Sequence, residues 1–185
     1  KRLMKPFVIV DLEWTSWKNN LKKNLREKWQ KKEIIQIGAI KVNNKYKVIN
    51  KINIYVKPKF NPILSDYIKK LTHITQNRID KNGLTFEKAC KKFNSFTKNC
   101  KIISNGVDGK VFKENLKYYK LKRKFKIKNI RPLFINKYKI PKKFCNSYLI
   151  HTFFGYKLSK NQSHNALWDC KCILKALRKL NFKFN

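Results

Sequence analysis

The sequence predicts a mixed α/β domain, a sheet with helices on both of its faces. Three observations predict it. Residues 6–12 (PFVIVDL) are an apolar, β-branched run bounded by Pro6 and interrupted by charge at Asp11, as a buried central strand is. Residues 33–42 alternate apolar and polar positions, Asn43-Asn44 tolerate the positive φ of a hairpin turn, and residues 46–56 make the partner strand. Beyond residue 60, helical spacing alternates with short apolar runs. A meander of three strands followed by alternating helix and strand is the order of a mixed sheet covered on both sides.

The remaining elements follow in chain order. Residues 14–32 are polar and basic with Trp14, Trp17 and Trp29 embedded, which suits an insertion at the end of the first strand. Pro58 and Pro62 end the hairpin. Residues 64–71 and 74–80 suit two short helices, with Thr72 as a cap for the second. Thr85 caps a helix over 85–99, whose Phe86, Ala89, Cys90, Phe93 and Phe96 fall on one face. Residues 101–104 form a short strand and 108–119 a helix. An apolar stretch at 127–135 is limited as a strand by Pro132, a helix is expected around 143–153, and a last helix runs over 164–180. The 185 residues fit one domain, with its core at about 6–180.

Composition narrows the class. At 42% hydrophobic and 14% aromatic the chain can bury a core, which excludes a disordered protein. No apolar run is long enough to span a bilayer, and the stretch after Met4 is cut at Asp11, so neither a membrane span nor a secretory leader is expected. Five scattered cysteines lack the paired spacing of a structural zinc site and suit reduced thiols in a cytoplasmic protein. Cys170 and Cys172 suit helix packing. Lys+Arg of 46 against Asp+Glu of 10 gives a net charge of +36, a surface that attracts polyanions. Codon usage in an AT-rich genome produces the same lysine excess, so charge alone does not identify the ligand. The scarcity of acids is more informative, because each one's position then carries weight.

Asp11 and Glu13 end the first strand two residues apart, so both point to one face while Leu12 points to the other. Two such carboxylates repel when empty and are satisfied by a hard divalent cation. The end of a central strand is also where open α/β sheets place their sites. Asp108 follows the Asn105-Gly106 turn and opens a helix, a position that the helix dipole favours on its own. His164 precedes Asp169 in QSHNALWDC, and Asp169 lies among Leu167, Trp168 and Cys170, where a carboxylate needs a partner.

These three segments, VIVDLEWT, NGVDGKVFKENL and HNALWDC, resemble in order the motifs of the DEDDh (DnaQ-like) exonucleases. The intervening Tyr55 to Pro58, Leu64-Ser65 and Leu71 to Gln76 resemble the histone-mRNA 3′ exonuclease-like branch and its bacterial relatives. The resemblance implies a ribonuclease-H-like fold with a mixed five-stranded sheet. It implies a 3′–5′ exonuclease that uses two divalent cations, Mg²⁺ or Mn²⁺, and releases 5′-mononucleotides. By position, Asp11, Glu13 and Asp169 resemble the ligands of the first metal. Asp11 also bridges to the second, which Asp108 supports largely through water, and His164 resembles the general base. Leu12, Trp14 and Thr15, His73 and Asn105 stand where the family lines the terminal nucleotide's pocket. The chain departs from the pattern at Trp14, where a small residue is common, and at Ser104-Asn105-Gly106, where relatives often carry Trp or His. The implied partner is a single-stranded nucleic acid, RNA ahead of DNA. Two other readings share the fold: a proofreading subunit that works with a DNA polymerase, and a non-catalytic nucleic-acid-binding module. Loss of a motif acid would favour the latter, and none is lost.

Overall fold

A computed structural model describes residues 6–18, 27–159 and 162–182. Strand β1 (Phe7–Trp14) is buried along nearly its whole length. It pairs antiparallel with β2 (Ile34–Val42), which pairs antiparallel with β3 (Val48–Tyr55). On its other side β1 runs parallel to β4 (Lys101–Ser104), and β4 runs parallel to β5 (Ile127–Asn129). The sheet order is therefore β3-β2-β1-β4-β5, which is the mixed five-stranded sheet expected. Of the insertion at 14–32, residues 19–26 lie outside the described residues.

Alternation along β1 sorts its side chains into two cores. Val8, Val10 and Leu12 face the layer of α3 (Phe86–Thr97) and α4 (Asp108–Tyr118), where Phe86, Phe93 and Phe112 fill the space. Phe7 and Ile9 face α5 (Ala166–Lys179), through Cys170, Ile173 and Leu177. Two short helices, α1 (Asp66–Thr72) and α2 (Gln76–Asn82), pack on Ile35 as a third cluster. Cys170 and Cys172 are buried in the α5 core as free thiols, as helix packing requires. No helix among the described residues is long and apolar enough to cross a membrane.

Two local expectations are corrected. Thr72 does not cap α2. It sits in the last turn of α1, where its hydroxyl donates to the Ile68 carbonyl and accepts from the Ile74 amide. Thr75 caps α2 instead, and Ser65 caps α1. Residues 143–153 form no α-helix. Pro141 opens a 3₁₀ turn at Lys142–Phe144, and a second 3₁₀ segment, Ile150–Phe154, ends at Gly155 with φ of 82°. The backbone between them stays irregular, and Ser147 and Tyr148 are thereby left facing the sheet end.

Candidate active site

The carboxyl end of β1 is the centre of the site. Asp11 and Glu13 share the face of β1 that looks at α5, and both are buried. Across the ladder Asp11 pairs with Gly38 and Glu13 with Gln36, so those two β2 residues share the same face. They dock the start of α5. The Gln36 side-chain oxygen accepts the Ala166 amide at 3.1 Å. The α5 backbone rests directly on Gly38, where a Cβ would collide with the main chain of Ala166 and Leu167. Asn165 caps the helix by accepting the Trp168 amide at 3.1 Å. Asp169, in that anchored first turn, is brought over the two acids. Ligand oxygens of Asp11, Glu13 and Asp169 lie within 4.8 Å of one another.

Asp108 arrives from the opposite neighbour. Because β4 is parallel to β1, with Ile9 beside Ile103, the chain leaving β4 passes the end of β1. Gly106 makes the turn at φ of 142°, a conformation side chains rarely adopt, and its amide donates to the Asn129 side chain. Asp108 then accepts the Leu12 amide at 3.1 Å. A single β1 residue thus separates the two sides of the site.

Electrostatics show four acids crowded away from water. Burial, then the charges of Asp108 and Asp169, hold Asp11 well above the usual carboxylate range. Burial, then Asp11, does the same to Glu13. Asp169 is pushed to about 9, by burial first and Glu13 next. Asp108 rises to about 6 through burial, offset in part by the Leu12 amide and the Arg131 charge. Among the described residues the buried Asp169 Oδ1 atom has no hydrogen-bond partner. Hard oxygen donors, mutual repulsion and an orphaned carboxylate oxygen are what a divalent cation relieves, so these residues fit one.

His164 lies just before α5 with φ of 56°, its ring 4.8 Å from the Tyr148 ring. It lines the same cleft of about 530 Å³ as all four acids. Burial, then the nearby His73 charge, lowers its pKa.

The expected substrate residues divide. Leu12, Trp14 and Asn105 line the cleft. Asn105 also holds the opposite wall, because its Nδ2 donates to the Cys145 carbonyl at 3.0 Å. Thr15 does not reach the cleft. It is buried, its hydroxyl donating to the Lys31 carbonyl and accepting the Glu33 amide. His73 is an exposed left-handed residue closing α1, outside the cleft lining but close enough to act on His164.

Three lining residues carried no signal in the sequence. Arg131 donates to the Asn105 carbonyl at 2.8 Å, and its charge reaches both Asp11 and Asp108. The Ser147 hydroxyl hydrogen-bonds Asp11. Tyr148 packs on His164. Ser147 and Tyr148 come from a turn, and Arg131 opens the short helical segment that continues as a π-helix over Leu133–Lys137, so no strand or long-helix period points them at a face.

Comparison with known proteins agrees with this geometry. The model of the exonuclease family RNase_T matches residues 8–177. A curated relative, ERI1 exoribonuclease 2 of Xenopus laevis, is 32% identical over 90 residues, which are 48% of this chain and 12% of that protein. The chain thus spans a small part of that relative's length. A 3′-exonuclease solved in recognition of the histone mRNA stem-loop superposes with a TM-score of 0.82 at 23% identity, covering 98% of this chain and 83% of that one. The nuclease domain of 3′hExo, a DEDDh family member bound to rAMP, gives 0.80 at 24%, covering 95% and 91%. With the family model spanning both cores of the fold, the chain belongs to the RNase_T family of exonucleases.

Proposed function

We propose that this chain removes nucleotides one at a time from single-stranded 3′ ends, using two divalent cations and His164 as general base. The observation that carries this reading is the packing of three buried carboxylates, with oxygens within 4.8 Å, in the cleft that His164 lines. Asp11, Glu13 and Asp169 would hold the first cation. Asp108, on the far side of Leu12, would support the second together with Asp11. When bound, Mg²⁺ or Mn²⁺ supplies charge stabilisation to the attacking and leaving oxygens at phosphorus.

The chain's own residues do the rest. A lowered pKa keeps the His164 ring neutral near pH 7, ready to accept the proton of the attacking water. That water's oxygen bonds to phosphorus, the bond from phosphorus to the 3′ oxygen breaks, and a 5′-mononucleotide leaves. Tyr148 holds the His164 ring from one side. Arg131 offers a guanidinium to a phosphate beside Asp108. RNA is favoured over DNA, on the likeness to an exoribonuclease and to an enzyme that recognises histone mRNA. The free thiols suit a cytoplasmic location. The chain works as one exonuclease domain.

The test is a digest of 3′-labelled and 5′-labelled single strands, RNA and DNA, with Mg²⁺ or Mn²⁺. The label should leave first from the 3′ end. His164→Ala should lower kcat about 10²–10⁴-fold at unchanged cation affinity. Release of the 5′ label first, or digestion indifferent to EDTA, would contradict the reading.

A further inference from the structure

The chain between β1 and β2 returns to the sheet through Trp29, Gln30, Lys31 and Lys32, and this return is built with care. Trp29 is 56% exposed, although its ring meets Trp17 edge-on at 5.2 Å. Its backbone is fixed from below by Asn61, which is 8% exposed. The Asn61 Nδ2 donates to the Trp29 carbonyl at 3.1 Å, and its Oδ1 accepts the Lys31 amide at 3.1 Å. Lys31 then lays its ammonium 3.5 Å from the centre of the Phe60 ring and 5.5 Å from that of Tyr118. Among the described residues neither ion pair involves Lys31, so its charge is held by rings rather than by a carboxylate.

An exposed indole and a fixed ammonium, two residues apart on a rigid support, match the two parts of a nucleotide. A base stacks on an aromatic face, and a phosphate takes the charge. The place is right as well. Trp14, Ser16 and Lys32 line the cleft, and Lys31 follows directly from that wall. Trp29 to Lys32 spans at most about 10 Å of chain. The net charge of +36 makes a polyanion the complementary occupant.

We propose that Trp29 and Lys31 form a docking point, outside the catalytic cleft, for an upstream nucleotide of the same single strand, with its base on Trp29 and its phosphate on Lys31. This rests on the reading of the chain as an exonuclease of single strands. Stacking is blind to the sugar, so the docking point serves RNA and DNA alike.

The test separates binding from cleavage. Without divalent cations, fluorescence anisotropy measures the affinity of labelled single strands from two to twelve nucleotides long. The wild type should bind long strands more tightly than dinucleotides. Trp29→Ala should weaken long strands about tenfold or more and leave dinucleotides unchanged, while Trp29→Phe should recover most of the loss. Lys31→Gln should reduce the slope of log affinity against log salt by about 1. Equal affinity of Trp29→Ala and wild type for twelve nucleotides would overturn the proposal. So would an equal loss for dinucleotides, which would place Trp29 in the terminal pocket. Failure of the exonuclease reading itself is seen elsewhere, as wild-type protein that shortens no strand with Mg²⁺ or Mn²⁺.

Discussion

Among the described residues, carboxylates are buried in two places, and these are built in opposite ways. Glu33, just before β2, is fully buried. Its oxygens accept the amides of Lys59, Phe60 and Asn61 and the Tyr119 hydroxyl, at 2.6–3.0 Å. Every lone pair that matters is met by a donor from the chain itself. Asp11, Glu13, Asp108 and Asp169 are also buried, yet they face one another. The Asp169 Oδ1 atom has no donor among the described residues. Burial of an acid therefore does not mark a site. A carboxylate supplied with donors is a fastener, and carboxylates supplied with each other are waiting for a cation.

The largest expected effect comes from the second kind. Asp11→Asn removes one of the three carboxylates whose oxygens lie within 4.8 Å of one another, and kcat should fall more than ~10³-fold. Its melting temperature in EDTA should stay level or rise, because a repelling charge is gone. Loss of activity accompanied by unfolding would make Asp11 a fastener like Glu33.

Gly38→Val comes next, and it should damage both properties. The added side chain pushes α5 off β2, at a cost of about 1–3 kcal/mol. A shift of Asp169 by about 1 Å would also lower kcat about 10²-fold. Steady-state kinetics together with thermal melts would show the two losses in one variant. Glu33→Gln should do only half of this. It replaces one of the two oxygens that accept backbone amides by a donor, costing about 1–3 kcal/mol, a drop of several degrees in Tm. The kcat of the folded fraction should be unchanged.

A further effect is in pH. Asp169 is raised from 3.8 to about 9 and Asp108 from 3.8 to about 6, so the folded protein binds more protons than the unfolded chain between those values. Metal-free stability should therefore be highest below about pH 4 as far as these groups contribute, and fall as pH rises towards 9. Denaturant melts in EDTA at pH 5 and pH 8.5 would read the difference, and Asp11→Asn should flatten it.

The same contrast explains what could be read from the sequence. Asp11 and Glu13 were legible because a strand's two-residue period fixes their face before anything is known of the fold. Asp169 was legible because the apolar face of α5 fixes its helix, and an acid among Leu167 and Cys170 stands out. Asp108 needed the family pattern, since a helix-opening Asp is common. What failed to show lies where no period operates. Ser147 and Tyr148 come from a turn just after Cys145, whose carbonyl Asn105 grips, and Arg131 opens a short helical segment that soon passes into a π-helix. The false helix at 143–153 arose from apolar residues that Pro141 and Gly155 confine to separate 3₁₀ turns. Gly38 gave no sign either, because its value is the space it leaves for α5. Thr15 was expected at the terminal nucleotide, but its hydroxyl is committed to Lys31 and Glu33, which ties it to the fastener rather than to the site.

One measurement tests the central claim most directly: the thermal stability of wild type, Asp11→Asn and Glu33→Gln as Mn²⁺ is raised at pH 8. A site of buried, mutually repelling carboxylates should give the wild type a saturable rise of several degrees, worth about 2.7 kcal/mol at a hundred times the Kd. Glu33→Gln should start lower and rise by the same amount, and Asp11→Asn should rise little or not at all. Equal rises in wild type and Asp11→Asn, or no rise in either, would contradict a cation site at the end of β1.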